Sequence, residues 1–192
     1  MRKTMLSVIL ICLVFISSAC GASSQKTENT ENAFTPDISI DQIEWSIDAG
    51  TIKGENYVLG KVINNSQFAI TSFEMTFTEK QEISKEDKAS FYADIQKSQG
   101  FDDAWMTEYI ESREKLSQPI SMYFKIDEGI ETGAGKEQIK CYYMGGWTSK
   151  NVIYPHLFVP EIATIEYEKE GVSYTLYYNF TSKTYDLEKT AQ

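Results

Sequence analysis

Two residues of this chain could form a catalytic nucleophile and base, Cys141 and His156. Such a pair needs its thiol and its imidazole within hydrogen-bond distance. Cys141 lies in the apolar run from Ile139 to Met144, however, where an unpaired cysteine is typical of a small buried hydrophobic residue. His156 is the only histidine, so the usual ligand set of a zinc site is also missing. We therefore predict neither thiol catalysis nor a metal or other cofactor.

Carboxylates are numerous and could supply an acid–base pair of the kind that hydrolyses glycosidic bonds. Three glutamates alternate between Glu166 and Glu170, a spacing typical of a solvated strand face and its turn. The adjacent acids Asp102-Asp103 and Asp127-Glu128 do not lie in a D-x-[DN]-x-[DN]-G calcium loop, so we expect them to start a helix and to form a turn. No catalytic carboxylate is predicted, and a wall-active hydrolase is only the third hypothesis for function.

The beginning of the chain has the pattern of an export signal that ends at Cys20. Arg2 and Lys3 precede an almost unbroken apolar run from Met5 to Ile16, and small residues fill positions 17–19. The run is shorter than the 20 or so apolar residues that a membrane-spanning helix needs. A cysteine directly after the cleavage site resembles the lipobox of bacterial lipoproteins, in which the thiol receives a diacylglycerol. The resemblance implies a signal peptide at residues 1–19 and a bilayer anchor, with palmitate-type acyl chains, on Cys20.

Composition and net charge indicate where the protein is located and which partners it can bind. Residues 20–37 are polar, without an apolar period, and predict a flexible tether ahead of a single folded domain at 38–192. The formal charge is −10, and loss of Arg2 and Lys3 with the signal would make it −12. An acidic surface argues against nucleic acid as a partner. We expect a lipid-anchored protein facing outside the cytoplasm, with a Gram-positive surface as the favoured setting.

The folded part has mainly the pattern of β-strands. Phe73, Met75 and Phe77 alternate with polar residues, which indicates one buried and one solvated face. The segment from Glu168 to Gly171 predicts a hairpin turn, because glycine adopts the positive φ that such turns require. Runs of β-branched and aromatic residues predict strands at residues 43–49, 57–64, 68–78, 120–126, 138–144, 152–159, 163–167 and 172–180.

Between Ser84 and Ser117 the apolar period changes to that of helices. Ser84 is a suitable N-cap, and Gly100 a suitable end, for a first helix. Asp102 or Asp103 can begin a second helix. We therefore predict a two-helix insertion, at about 84–117, in a β domain. The pattern leaves open whether these helices pack on the sheet or stand away from it.

One stretch of strands carries a family resemblance. The segment from Tyr57 to Ser66 (YVLGKVINNS), followed by the strand at Phe73, resembles the opening of FxLYD-type domains of bacterial surface lipoproteins. Residues Gly133 to Glu137 occupy the place of that family's turn, and FEMTF at 73–77 stands where F-x-L-Y-D is expected. The resemblance covers roughly residues 44–143 without the insertion. It implies an immunoglobulin-like antiparallel β-sandwich at the cell surface and brings no catalytic residue.

Aromatic and neighbouring apolar residues are the candidate binding sites. Trp105, Met106 and Tyr109 lie on the second predicted helix, Trp147 in a Gly-Gly-Trp loop, and Tyr177 on the outward face of a strand. Exposed aromatic residues suit contact with a protein or a glycan, although Trp105 and Tyr109 could instead attach the insertion to the sheet. The leading hypothesis is a non-catalytic binding or accessory module for another envelope protein. A carbohydrate- or cell-wall-binding module is the alternative.

Overall fold

The computed structural model describes residues 35–143 and 145–190. The predicted signal peptide, the predicted acylation of Cys20 and most of the predicted tether lie outside the described residues. Within them, two antiparallel sheets and two helices confirm a mainly β chain, an arrangement consistent with a β-sandwich. In this part of the chain, neither helix is both long and apolar enough to cross a membrane.

The elements follow one another with short connections. The helices are α1 (Lys85–Gln99) and α2 (Asp103–Lys115). The strands are β1 (Ile43–Ile52), β2 (Glu55–Asn64), β3 (Ile70–Glu79), β4 (Ser121–Ile126), β5 (Gly135–Lys140), β6 (Tyr142–Tyr143), β7 (Trp147–Thr148), β8 (Phe158–Lys169), β9 (Val172–Asn179) and β10 (Thr184–Thr190). One sheet has the strand order β1-β2-β5, and the other has the order β10-β9-β8-β3-β4-β6-β7.

The inner faces of the two sheets share one hydrophobic core. Phe73, Met75 and Phe77 of β3 are fully buried, as their alternation predicted. Val58 and Val62 of β2, in the other sheet, belong to the same core. Burying each such side chain contributes roughly 1.5–3 kcal/mol, so this core is the main source of stability for a domain without a described disulfide.

The predicted hairpin between β8 and β9 is confirmed. Its two turn residues, Glu170 and Gly171, have φ values of 54° and 76°. Positive φ at both positions matches the right-handed twist of the flanking strands. Val172 therefore pairs directly with Lys169.

The two predicted helices are confirmed, and they connect the neighbouring strands β3 and β4. Ser84 caps α1 by accepting a hydrogen bond from the backbone N–H of Asp87 at 3.0 Å, and Gly100 ends the helix with a φ of 72°. Asp102 caps α2 by accepting from the N–H of Trp105 at 2.8 Å. These contacts satisfy backbone N–H groups that have no partner inside the helix.

Helix α1 packs on the seven-stranded sheet, which answers the question that the sequence left open. The ring of Phe91 meets the ring of Tyr143 edge-to-face, with 5.0 Å between centroids, and lies 6.3 Å from that of Phe158. Phe91, Tyr92 and Ile95 are all buried. Helix α1 is thus part of the core rather than an independent arm.

Two strand predictions are wrong in their extent. The predicted strand at 152–159 is an irregular segment with a short 3₁₀ turn at Pro155–Leu157, because proline has no N–H for a sheet ladder, and β8 begins only at Phe158. The predicted strand at 138–144 is divided at Cys141. Lys140 pairs with Leu59 in one sheet, whereas Tyr142 pairs with Tyr123 in the other.

Candidate contact site

The two residues considered for thiol catalysis have different environments. Cys141 is fully buried, and this burial raises the pKa of its thiol to about 12. His156 is exposed on the 3₁₀ turn that precedes β8. A thiol is a nucleophile only as the thiolate, so Cys141 is inert near neutral pH. Its position at the point where the chain passes between the sheets accounts for its burial.

The carboxylates considered for catalysis or calcium binding are explained by local structure. Glu166, Glu168 and Glu170 are exposed. Asp127 pairs with Lys125, and Glu128 with Lys136 at 2.9 Å, where the lysine lowers the pKa of the glutamate. Within residues 35–143 and 145–190, no three His, Cys, Asp or Glu side chains are grouped closely enough to hold a metal ion.

Three aromatic rings form a stacked column along α2. The rings of Phe101 and Trp105 have centroids 3.9 Å apart and an interplanar angle of 26°. Trp105 then stacks on Tyr109 at 5.3 Å and 10°. The Trp105–Tyr109 stack follows from sequence spacing, because residues four apart lie above one another on a helix, whereas Phe101 lies just before the N-cap Asp102 and joins the column from outside the helix. We refer to Phe101, Trp105 and Tyr109 together as the aromatic ridge.

Arg113 continues the column beyond Tyr109. Its guanidinium lies over the Tyr109 ring, 5.5 Å from the centroid, and Nη1 donates to the Tyr109 hydroxyl at 3.2 Å. Nη2 donates to the backbone carbonyl of Pro119. Arg113 thus holds the end of α2 against the segment that leads into β4.

Trp147 attaches the ridge to the seven-stranded sheet. Its ring centroid lies 5.3 Å from that of Phe101, 5.9 Å from Trp105 and 5.2 Å from Tyr109. The adjoining Gly145 and Gly146 have φ values of 104° and 80°, which only glycine adopts at low cost. The structure therefore brings the predicted site residue Trp147 together with two others, Trp105 and Tyr109, that lie about 40 residues earlier in the sequence.

The outer side of α2 exposes apolar surface. Trp105 is 39% exposed, and Leu116, which caps the end of the helix, is 63% exposed. The spacing of 105, 109 and 116 places these side chains on one helical face. Val159 of β8, 38% exposed, is the other large hydrophobic residue with comparable exposure in the described part of the chain.

Two predicted binding residues do not belong to this exposed face. Met106 is only 4% exposed and packs in the core, because it lies about 100° around the helix from Trp105 and faces the sheet. The prediction that it binds a partner is therefore corrected. Tyr177 lies on β9, separated from β7 by several strands, and its hydroxyl donates to Glu188 at 3.3 Å.

Stacking within the ridge occupies aromatic faces that would otherwise be open. Phe101 and Tyr109 both stack on Trp105, and the Arg113 guanidinium lies over the Tyr109 ring. A sugar ring stacks on an open aromatic face, whereas ring edges and a leucine side chain fit an apolar recess in a protein. This geometry favours a protein over a glycan as the occupant of the site.

Sequence reasoning omitted two residues of the site, Phe101 and Leu116. Both were recognisable from spacing, because Phe101 precedes Trp105 by four residues and Leu116 follows Tyr109 by seven.

Comparisons of the chain with protein-family models, with curated proteins and with solved structures each find no match.

Proposed function

We propose that this protein is a lipid-anchored surface lipoprotein that serves as a non-catalytic binding or accessory module for another envelope protein. The anchor rests on the residues up to Cys20, whose pattern is that of a lipobox. We further propose that the domain is an immunoglobulin-like sandwich of the FxLYD type, which the antiparallel sheets and the segment from Tyr57 to Ser66 support.

The exposed edge of the aromatic ridge is the observation that carries the binding function. Exposed aromatic side chains held rigidly by their neighbours lose little conformational entropy when a partner covers them. Trp105 is fixed by two stacked rings and by Trp147, yet 39% of it is exposed. Aromatic residues of this kind dominate the binding energy of many protein interfaces.

The size of the ridge suggests a modest interface. From Trp105 to Leu116 the helix rises on the order of 16 Å, at 1.5 Å per residue. A single helix face of this length is smaller than the roughly 800 Å² per partner of a standard stable complex. We therefore expect a weak or transient contact, unless neighbouring loops also take part.

The proposal is tested by chemical crosslinking of the full-length chain in isolated envelopes, followed by purification under denaturing conditions. We expect one major protein adduct, which Trp105→Ala removes. Val159→Ala is the matched control, because Val159 has almost the same exposure outside the ridge. An adduct that survives Trp105→Ala would exclude the ridge as the protein-contact site. Retention on purified wall material that Trp105→Ala removes would instead support the carbohydrate- or cell-wall-binding alternative.

A further inference from the structure

The flank of the aromatic ridge is acidic. Glu108 lies about 60° around the helix from Trp105 and lines the surface beside the ridge, whereas Glu111 lies further round on the solvent face of α2; both glutamates are exposed. None of the ion pairs found among the described residues involves either carboxylate.

The bases of α2 do not offset this charge beside the ridge. Arg113 is turned onto Tyr109 and the carbonyl of Pro119, so its guanidinium is held at the sheet side of the helix. Lys115 is exposed and lies four residues after Glu111, so it adjoins that glutamate, whereas no base of α2 lies three or four residues from Glu108. At the opposite end, the N-cap Asp102 adds a further carboxylate next to Phe101.

A shallow groove joins the apolar and acidic parts of this surface. It has a volume of about 240 Å³ and is lined by Trp105, Glu108, Tyr109 and Ser112. Any side chain that packs against the exposed edges of the two rings must therefore approach the Glu108 carboxylate. A carboxylate on a partner would be repelled there, whereas an ammonium or guanidinium group would be attracted.

We infer that the partner of this ridge is a protein whose apolar recess is bordered by lysine or arginine residues. The inference rests on the proposed function and specifies its partner. It follows from charge complementarity, because the acidic flank and the whole chain, with a formal charge of −10, both favour a basic surface. The apolar edges supply the contact, and the carboxylates select the partner and speed its association.

The test uses the full-length chain in isolated envelopes, with a photoreactive diazirine amino acid at position 112, inside the groove. Irradiation is expected to give a protein adduct whose crosslinked peptide contains lysine or arginine near the attachment point. The double variant Glu108→Gln/Glu111→Gln should reduce its yield about threefold to tenfold at low salt, and raising the salt concentration should reduce the unmodified chain's yield similarly. Glu131→Gln, which neutralises an exposed carboxylate between β4 and β5, is the matched control.

The possible outcomes separate this inference from the proposed function. If Trp105→Ala abolishes the adduct while the Glu108→Gln/Glu111→Gln variant and salt leave it unchanged, the ridge binds a protein, but the basic-partner inference is wrong. If the crosslinked peptide is acidic, the inference is also wrong. If irradiation gives only lipid adducts or no adduct at position 112, both the inference and the proposed function are overturned.

Discussion

The side-chain amide of Asn64 donates a hydrogen bond to the backbone carbonyl of Ile130 at 3.0 Å, across 66 residues of sequence. The same Nδ2 donates to the carbonyl of Phe68 at 2.8 Å, while Oδ1 accepts from both the N–H and the hydroxyl of Ser66. Asn64 is fully buried, so its amide meets its hydrogen-bonding needs inside the protein. The segment from Asn64 to Ser66 is therefore a turn that the Asn64 side chain holds in place.

Replacing Asn64 by alanine should destabilise the domain by about 1–3 kcal/mol, because its buried hydrogen bonds are lost, although the Ile130 carbonyl still accepts from the Ile70 N–H and the Ser66 hydroxyl still donates to the Phe68 carbonyl. Urea unfolding followed by tryptophan fluorescence measures the change. Asn65→Ala is the control, since Asn65 is exposed and its backbone N–H donates to the Gln42 carbonyl whatever its side chain. Equal losses for the two variants would contradict the assigned network.

Substitution of Gly60 by alanine tests the close approach of the two sheets. A Cβ at this position would lie 2.7 Å from the nearest carbon of the Phe124 ring. Overpacking of this kind costs about 1–3 kcal/mol in the free energy of unfolding. The double variant Gly60→Ala/Phe124→Leu should be less destabilised than the sum of its single changes, and simple additivity in a double-mutant cycle would disprove the clash.

The local elements of this fold were predictable where one residue type decides the geometry. Alternation defined the buried face of β3, and Ser84, Gly100 and Asp102 defined the ends of the helices, because capping depends only on neighbouring residues. The division of the strand at Cys141 was not predictable, since it depends on which sheet each half joins. Strand β10 also gave no clear signal, because its charged sequence is stabilised mainly by pairing with β9.

Most residues of the contact site were predictable from the sequence, but the contacts between them were not. The helical spacing of Trp105 and Tyr109 is visible in the sequence. Their contact with Trp147, about 40 residues later, requires the β6–β7 turn to lie beside α2, which no local pattern specifies. The inward direction of Met106 likewise depends on which face of α2 meets the sheet.

Cys141 should make stability depend on pH in the alkaline range. Burial raises the pKa of its thiol to about 12, whereas an unfolded cysteine ionises near 8.5. Because the pKa is higher in the folded state, the buried neutral thiol contributes fully to the free energy of unfolding below about pH 8.5. This contribution is lost as the pH rises towards 12. Under reducing conditions, the free energy of unfolding of the unmodified protein should fall by about 1 kcal/mol more per pH unit between pH 9 and 10 than that of Cys141→Ala.

The same burial predicts slow alkylation of this thiol. In the pH comparison above, Tyr92 and Tyr154 also have pKa values that burial raises to about 12. Both tyrosines are present in the unmodified protein and in Cys141→Ala, so their effects cancel in the difference between the two unfolding free energies. Iodoacetamide should modify Cys141 only after denaturation, as measured by mass spectrometry of its peptide. Rapid modification of the native protein would show that the thiol is accessible.

The start of the domain should be loosened by Tyr185→Phe. The hydroxyl of Tyr185 on β10 accepts a hydrogen bond from the backbone N–H of Ile40 at 2.8 Å. Three residues before Ile40, Asp37 forms an ion pair with Lys169 at 2.7 Å. Removing the hydroxyl leaves the Ile40 N–H without this acceptor, at a cost of about 1–3 kcal/mol. Hydrogen exchange should accelerate at Ile40 but not at Met75 in the central strand β3. Tyr177→Phe, which removes a hydroxyl bonded only to the exposed Glu188, is the control.

Replacing Trp147 by alanine should release α2 from the sheet without unfolding the two sheets. Trp147 contacts all three rings of the aromatic ridge, and apart from Met106 little of α2 is buried. We expect amide exchange within residues 103–115 to accelerate about tenfold or more, which corresponds to about 1.4 kcal/mol of lost local stability. Exchange in β3 and β8 should stay within about threefold of its original rate. Trp45→Ala provides the contrast, because Trp45 packs on Phe77 and Phe180 against the hydrophobic core, and its loss should accelerate exchange throughout the domain. If Trp147→Ala accelerates exchange equally in α2 and in β3, the ridge is part of the global folding unit rather than a separately attached helix.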